Sequence, residues 1–468
     1  MAARLLASSG AVHFVGIGGV GMAGLAWHLH RRGRGVTGTD AVESRVTAWL
    51  RTEGVPVRIG HGAVALPQEA EWVIRTPAVG DTNEEVRTAR ARGIPVLPRG
   101  FVLPALLDAY RGIAVAGTHG KTTTSALLLH LMQEAGLGPS GCIGGELDDT
   151  GAVARAGSGT WFVAEADESD GTLSRYRPEI GLVTNIEFDH MDHFPDEAAF
   201  RACFEQFASA TRRLLVVRSD DAVAREIGAL APRLLCLGAE KGADLYIGRV
   251  WSDAEGSDFE FAPRGGPVQR LRVPLPGVHN VWNAAAAVGI SLECGAAPEA
   301  LAEALPRFRS VRRRYEIVVD SPRIAVISDY AHHPTEIRAV LDAARRRGRR
   351  LVAIYQPHRY TRTRTLAGEF PSSFDGLAHL VLAPVYAASE APVAGGTSRD
   401  LMARFDPRRH VPVELAEDLD DAWERALASL RDGDMLLVLG AGDVESLAQR
   451  ARERWSVAGN KEVGSEAV

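Results

Sequence analysis

Short apolar runs alternate with stretches of helical period along most of the chain, and they fall into three series. In the first, "AVHFVGI" reads as a strand, residues 22–32 as a helix, "GVTGTD" as a second strand and "EWVIRTPAV" as another. The second series opens at "GIAVAG" and passes through "WFVAEAD", "IGLVTNIE" and "RLLVVRSD". It reaches a helix in "GVHNVWNAAAAVGISLEC" and closes near "LPRF". The third opens with "RIAVISDY" and continues through "LVAIYQ", "HLVLAPVY" and "DMLLVLGAGD". Such alternation predicts α/β architecture, with parallel sheets covered by helices. Boundaries near residues 109 and 311 divide the chain into 1–109, 110–311 and 312–468. The segments share an architectural type but no sequence repeat. The last dozen residues, "VAGNKEVGSEAV", read as a frayed tail.

Length supports this division: 468 residues are too many for one core, and three domains of roughly 100–200 residues are expected. A hydrophobic content of 46% with 24% charged residues is ordinary for a soluble protein. No apolar run reaches the ~18 residues that a membrane span needs. The opening "MAARLLASSG" carries Arg4 but no long apolar stretch, which argues against a secretory signal. The expectation is a cytoplasmic protein with no membrane partner. A net charge of −6 argues against nucleic acid as a partner, and the basic run "ARRRGRR" at 344–350 reads as a solvated helix end. Cys142, Cys203, Cys236 and Cys294 lack metal-type spacing and read as small buried hydrophobes in a reducing compartment.

Two glycine turns carry candidate chemistry. "GIGGVG" follows a strand and opens a helix, with Gly16, Gly18 and Gly21 in the three glycine places of the dinucleotide fingerprint. Gly16 permits the turn, Gly18 lets a diphosphate approach the backbone, and the helix N-terminus favours its charge. Asp40 ends the next strand, where an acid could bind a ribose hydroxyl. By itself this constellation suits a nicotinamide dehydrogenase as well as any other diphosphate binder.

The second turn, "AVAGTHGKTTTSALLLHLMQEAG", places Gly-Lys-Thr between a strand and a helix, although Val115 stands where the usual phosphate loop has its first glycine. Amides of Gly117 to Lys121 could cradle phosphate oxygens, Lys121 could neutralise them, and Thr122 is placed like a magnesium-ligating hydroxyl. Two strand ends carry acids: Glu165, Asp167, Glu168 and Asp170 in one, and Glu187, Asp189, His190, Asp192 and His193 in the other. In a doubly wound sheet such ends meet at the ligand crevice, beside the Lys121 loop. A dehydrogenase has no need of this second site. A non-catalytic ATP-binding scaffold gives no reason for "HHPTE" and "PHRYTR" in the third segment.

With these residues assembled, the sequence resembles the Mur ligases. The carriers are "GIGGVGM", "GTHGKTTT", "EADESDG", "VTNIEFDHMD", "LPGVHNVWNAAAA", "SDYAHHPTEI", "QPHRYTRTR" and "GAGD", which span residues 16 to 443 in order. The resemblance implies three domains: a Rossmann-like N-terminal domain for a UDP-sugar, a central P-loop-type ATPase domain, and a Rossmann-like C-terminal domain that brings an amino acid. It implies that ATP, with Mg2+, phosphorylates the carboxylate of UDP-N-acetylmuramate, and that the amine of L-alanine attacks the acyl phosphate. "GIGGVG" is thereby reassigned from nicotinamide to UDP diphosphate.

Residue roles follow from the same resemblance. Lys121, His119 and His190 are expected to be catalytic. Thr122, Glu165 and His190 are the expected magnesium ligands, with Glu168 the alternative to Glu165. ATP is expected on Gly117, Thr118, His119, Gly120, Lys121, Thr122, Thr123, Asn280, Asn283, Arg313 and Asp329. Asn280 could also cap its helix. The UDP-sugar is expected on Gly16, Gly18, Gly19, Gly21, Asp40, Thr76 and Arg314. Tyr330, His332, Arg359 and Arg362 are expected to form the amino-acid pocket, the two arginines facing one carboxylate if their turn is helical. Two departures stand out: the hinge reads "SVRRRYE", with Ser310 and Arg312 in less typical places, and "EAAFRACFEQF" lacks the lysine that several family members carbamylate.

Overall fold

The computed structural model describes residues 1–147, 150–191 and 193–462, with side chains through residue 455 in the last helix. Among the described residues there are three sheets, in two compact units: residues 1–251, 257–274 and 278–312, and residues 252–256, 275–277 and 313–468. The first unit holds two sheets. One is wholly parallel, in spatial order Val57–Ile59, Val36–Asp40, Ala11–Val15, Ala70–Arg75, Val96–Pro98. This reversal of strand order beside Ala11–Val15 is the switch point at which doubly wound sheets bind ligands.

The other sheet has ten strands, with a parallel centre of Leu214–Arg218, Ile180–Val183, Arg111–Ala116, Trp161–Glu165 and Ser140–Cys142. Every residue of Ile180–Val183 is buried, as a strand covered on both faces requires. Its edges carry antiparallel strands: Ala154–Arg155 at one side and the pair Ser257–Pro263 with Gln269–Val273 at the other. The helix Lys121–Glu134 is buried nearly all round, from Thr122 through Leu129, because it lies between this sheet and the helix Val278–Glu293.

The helix Val20–Arg31 is likewise buried from Met22 to Leu29, because the first sheet covers one side and the edge of the second covers the other. Gly24 permits that approach: a Cβ there would meet Cys142 Sγ at 3.0 Å. His28 completes the seam, its Nε2–H donating to the Gly141 carbonyl at 3.1 Å while its ring lies 5.0 Å from that of Phe162.

The second unit is a six-stranded sheet in the order Glu316–Asp320, Ile324–Asp329, Asp434–Leu439, Leu351–Tyr355, His379–Leu382, Val413–Leu415. It is parallel except for its first strand. The basic run 344–350 is not simply a solvated helix end. Arg347 pairs with Asp320, Arg349 donates to the Ser321 carbonyl and Arg350 pairs with Asp434, so three of its arginines stitch strand ends together. Cys142 and Cys203 are buried, whereas Cys236 and Cys294 are only half-buried; all four are free thiols. Helical backbone continues through Glu462 where a frayed tail was expected, and residues 463–468 lie outside the described residues, as does Asp192. No described helix is long and apolar enough to cross a membrane.

Burial lowers the His28 pKa to about 4, against the raising effect of its bond to Gly141. The unfolded chain therefore binds a proton that the folded state refuses, and stability falls as pH drops from about 6.5 toward 4. By pH 5 the loss should reach about 2 kcal/mol. Chemical denaturation at pH 7 and pH 5 checks this: His28→Gln should lose less stability between the two than the parent.

Candidate functional site

The loop Gly117–Gly120 joins the strand Arg111–Ala116 to the helix Lys121–Glu134. Gly117 has φ +121°, and a Cβ there would lie 2.1 Å from Thr184 Oγ1 and 2.8 Å from the Thr184 amide. Gly120 has φ +83°, and a Cβ there would lie 2.6 Å from Asn283 Oδ1. Both positions demand glycine, one by contact with the neighbouring strand and the other by contact with the helix Val278–Glu293. Shortening the usual phosphate loop therefore sacrifices neither turn.

The expected cradle of amides from Gly117 to Lys121 needs correction. The Thr118 and His119 N–H groups donate to the Asn185 carbonyl and to Asn185 Oδ1, both at 3.0 Å. Asn185 Nδ2 and Thr184 Oγ1 return bonds to the His119 carbonyl at 3.0 and 2.6 Å, and Thr118 Oγ1 bridges the backbone of Glu187. The early part of the loop is thus fastened to the exit of the strand Ile180–Val183. Gly120, Lys121 and the helix start remain as the candidate anion-binding part of the loop, since first-turn amides have no intrahelical acceptor.

The acids gather as the strand ends predict. Thr122 Oγ1 donates to Glu165 Oε1 at 3.0 Å, and Glu165 Oε2 accepts the Gly144 amide at 2.7 Å. Lys121 Nζ donates to Glu168 Oε1 at 2.7 Å and to the Gly117 and Thr118 carbonyls at 2.5 and 3.0 Å, which engages all three of its protons. Contact with phosphate must exchange at least one of these bonds. Burial presses the lysine pKa down, but Glu168, Asp167 and Glu165 hold it above its ordinary value. Glu168 is fully buried, and His190 Nε2 stands 3.5 Å from its Oε1. His190 itself has φ +57°, a left-handed conformation unusual for a side-chain-bearing residue. His119 Nε2 lies 2.8 Å from Glu187 Oε2.

Glu165 and Glu168 therefore do different work: the first sits beside Thr122, the second beside Lys121. The Thr122 hydroxyl and Glu165 carboxylate are hard oxygen donors that fit magnesium, while the His190 imidazole fits that ion less well. Asn283 touches the loop through Gly120, and Asn280 is the third residue of its helix, so the capping expectation for Asn280 is not met. Thr123 is buried in the first helical turn.

At the other glycine turn, Gly16 and Ile17 N–H donate to the Thr39 carbonyl at 2.8 and 2.9 Å, and Gly18 N–H donates to Asp40 Oδ2 at 2.8 Å. Asp40 thus grips the turn rather than standing open toward a ribose, and Gly18 does not offer its amide to a diphosphate. A Cβ on Gly18 would lie 2.8 Å from Thr47 Cγ2, so this glycine serves packing. Gly19 caps the helix Val20–Arg31, and a Cβ there would meet nothing nearer than 3.7 Å. Thr76 packs against Gly16.

The remaining candidates lie in the second unit. The Arg313 guanidinium donates to Glu445 and to the carbonyls of Gly440 and Gly442, which ties it to the "GAGD" turn. Arg313 and Arg314 stand 4.7 and 4.9 Å from the Tyr330 ring. Asp329 accepts the Tyr315 and Ala331 amides, each at 2.7 Å, so it holds the chain on either side of itself. Burial raises its pKa to about 6 despite Arg314 and those two bonds.

The His332 ring lies 5.6 Å from Tyr330 and 5.5 Å from His358, and His358 stacks on Tyr386 at 5.7 Å. Arg362 is buried and donates to His358 Nδ1 at 2.9 Å. The helical condition set for the two arginines fails. Arg359 precedes the helix Tyr360–Thr365 with φ +69° and turns toward Glu390 at 3.4 Å. Sequence reasoning missed Asn185, Thr184, His358, Tyr386 and Glu390 as site builders. Asn185 and His358 stood inside quoted motifs beside residues that were chosen.

Asn185→Ala should leave the Thr118–His119 segment with a lost amide acceptor, costing about 1–3 kcal/mol. Urea denaturation should report the loss, and a nucleotide titration of the same variant should weaken with it if this loop is the phosphate site.

Comparison with known proteins gives concordant matches. Family models match residues 11–111 (Mur ligase family, catalytic domain), 115–291 (Mur ligase middle domain) and 313–442 (Mur ligase, glutamate ligase domain). The UDP-N-acetylmuramate–L-alanine ligase of Solibacter usitatus is 39% identical over 448 residues, 95% of each chain. That of Kineococcus radiotolerans is 42% identical over 455 residues, 94% of this chain and 95% of the other. Among solved structures, a UDP-N-acetylmuramate-alanine ligase from Thermotoga maritima superposes with TM-score 0.82 at 29% identity, over 96% of this chain and 100% of that one. A murein peptide ligase from Psychrobacter arcticus shares the fold, with TM-score 0.73 at 23% identity over 94% and 98%.

Proposed function

The chain belongs to the Mur ligase family, and from that premise we propose that it joins L-alanine to the carboxylate of UDP-N-acetylmuramate at the expense of ATP, in peptidoglycan precursor synthesis. The observation that carries the reading is the pairing of Thr122 with Glu165 directly beside Lys121, at the head of a helix that follows a parallel strand. That arrangement suits a nucleotide triphosphate. A nicotinamide dehydrogenase has no use for it.

The chemistry needed is activation of a poor electrophile. A carboxylate resists attack by an amine until one oxygen becomes a good leaving group, and transfer of the γ-phosphate supplies this. The amine of alanine then adds to the acyl phosphate and phosphate departs from the tetrahedral intermediate. Catalysis of this kind rests on positioning and charge neutralisation. Lys121 brings a fixed cation to the transferring phosphate. Thr122 and Glu165 would hold magnesium, which when bound neutralises charge on the phosphate oxygens. Glu168, buried between Lys121 and His190, fixes both. His119, held by Glu187, is placed to approach the reacting carboxylate. The turn at Gly16 to Gly21 takes the UDP diphosphate, chiefly through Gly19 and the helix start. Tyr330, His332, Arg359 and Arg362 form the amino-acid pocket, and a cytoplasmic location follows from these substrates.

The test of the activity is phosphate release from ATP with UDP-N-acetylmuramate and one amino acid at a time. Alanine should be fastest, serine and glycine slower, leucine and D-glutamate slowest. Discrimination against glycine rests on one methyl group and should amount to about 10–200-fold. D-Glutamate outrunning alanine would move the chain to another step of the same family. Lys121→Ala should cost about 3–4 kcal/mol in the transition state, at least ~10²-fold in rate. Turnover within about threefold of the parent removes the phosphate-loop assignment.

Gly19→Val should weaken UDP-N-acetylmuramate binding by about tenfold or more while ATP affinity holds. Gly18→Val would be a poor test, because that side chain collides with Thr47 and Asp40.

A further inference from the structure

Arg99 is absorbed by none of the roles above, although it stands between the two glycine turns of the first unit. A Cβ on Gly21 would lie 2.2 Å from Arg99 Nη1, so the guanidinium fills the space that a side chain at Gly21 would need. The third glycine of "GIGGVG" thus makes room for a cation. The other amino nitrogen, Nη2, donates to Asp167 Oδ2 at 3.2 Å. Arg99 is the first residue of the helix Arg99–Leu107, and only 17% of its side chain is exposed.

A guanidinium against the first turn of the helix Val20–Arg31 adds positive charge where the helix end is already positive. That arrangement calls for anions. Asp167 supplies one from the second sheet; on the side of the glycine turn, the complementary anion is a diphosphate. The fork of an arginine suits paired phosphate oxygens, and it is more weakly hydrated than a lysine ammonium, so it tolerates this partly buried position. We propose that Arg99 is a binding residue for the diphosphate of the sugar nucleotide, an inference that rests on the reading of "GIGGVG" as the diphosphate turn.

The test is calorimetric titration of the full chain with uridine, UDP and ATP, using the parent, Arg99→Gln and Arg99→Lys. UDP affinity of Arg99→Gln should fall about tenfold or more, with Arg99→Lys in between. Affinity for uridine, which lacks phosphate, and for ATP should stay within about twofold. Two results overturn the proposal: UDP binding by Arg99→Gln within about twofold of the parent, or equal weakening of uridine and UDP, which marks a disturbed turn. If Arg99→Gln does not fold, Arg99→Lys decides: undiminished UDP affinity overturns the proposal. Failure of the parent to bind UDP is a different result and removes the reading of the turn itself.

Discussion

The grip of one strand exit on the next turn is the constraint on which both glycine turns depend. Parallel pairing of Ile180–Val183 with Ile113–Ala116 sets residues 184–187 beside residues 117–119, and Thr184 and Asn185 then take up the loop's early backbone groups. The first sheet repeats the device. Pairing of Val15 with Thr39 brings Thr39 and Asp40 against Gly16, Ile17 and Gly18. In each case the neighbouring strand consumes the first amides of the turn, which would otherwise be costly to leave unpaired. What remains for a ligand is the first turn of the helix that follows. A slip of register in either sheet would move that sheet's grip, so the apolar patterns that fix register also fix the shape of each turn.

The second constraint is charge. Lys121, Glu165, Asp167, Glu168, His190 and Arg99 lie close together, several of them deeply buried. Buried charges persist when each finds a partner and a hydrogen bond, and removing one partner of such a pair is usually far more damaging than the pair is stabilising. The cluster is therefore better understood as a means of holding cations in place than as a source of stability. Lys121, with its three protons directed to two loop carbonyls and Glu168, is held in a single orientation.

Much of this was legible in the sequence, for physical reasons that can be named. Continuous apolar runs such as "IGLV" mark strands buried on both faces, and acids immediately after such runs sit at the ligand side of a parallel sheet. Glu165, Glu168 and His190 were found that way. Direction was not legible. Asp40 was placed correctly at its strand end, yet it points back to Gly18, because a carboxylate on the adjacent strand can satisfy an amide as readily as a ribose. Asn185 and Arg99 were missed because their work is tertiary: one holds a loop 66 residues away, the other reaches an acid 68 residues away. No local spacing encodes either distance. The arginines of 344–350 show the same limit, since a basic run on a helix end looks solvated until the strand ends that receive it are known.

In the second unit the decisive feature is strain. Arg359, Ala388 and Ser389 all have positive φ, at 69°, 47° and 71°, in two segments that meet around Glu390. Each such residue costs on the order of 1–3 kcal/mol and persists only where its surroundings determine it. Here they do. Glu390 accepts the Thr361 hydroxyl at 2.7 Å, the Thr361 amide at 3.1 Å and Arg359, while Arg359 N–H donates to the Tyr386 carbonyl and Tyr386 N–H to that of Pro357. The same zipper stacks His358 on Tyr386 and leaves Arg362 anchored to His358. A helical turn would have carried Arg359 and Arg362 on one face as neighbours with freely rotating side chains. The strained turn instead gives each arginine its own anchor, Glu390 for Arg359 and His358 for Arg362, so the two side chains are set in different directions by the backbone itself.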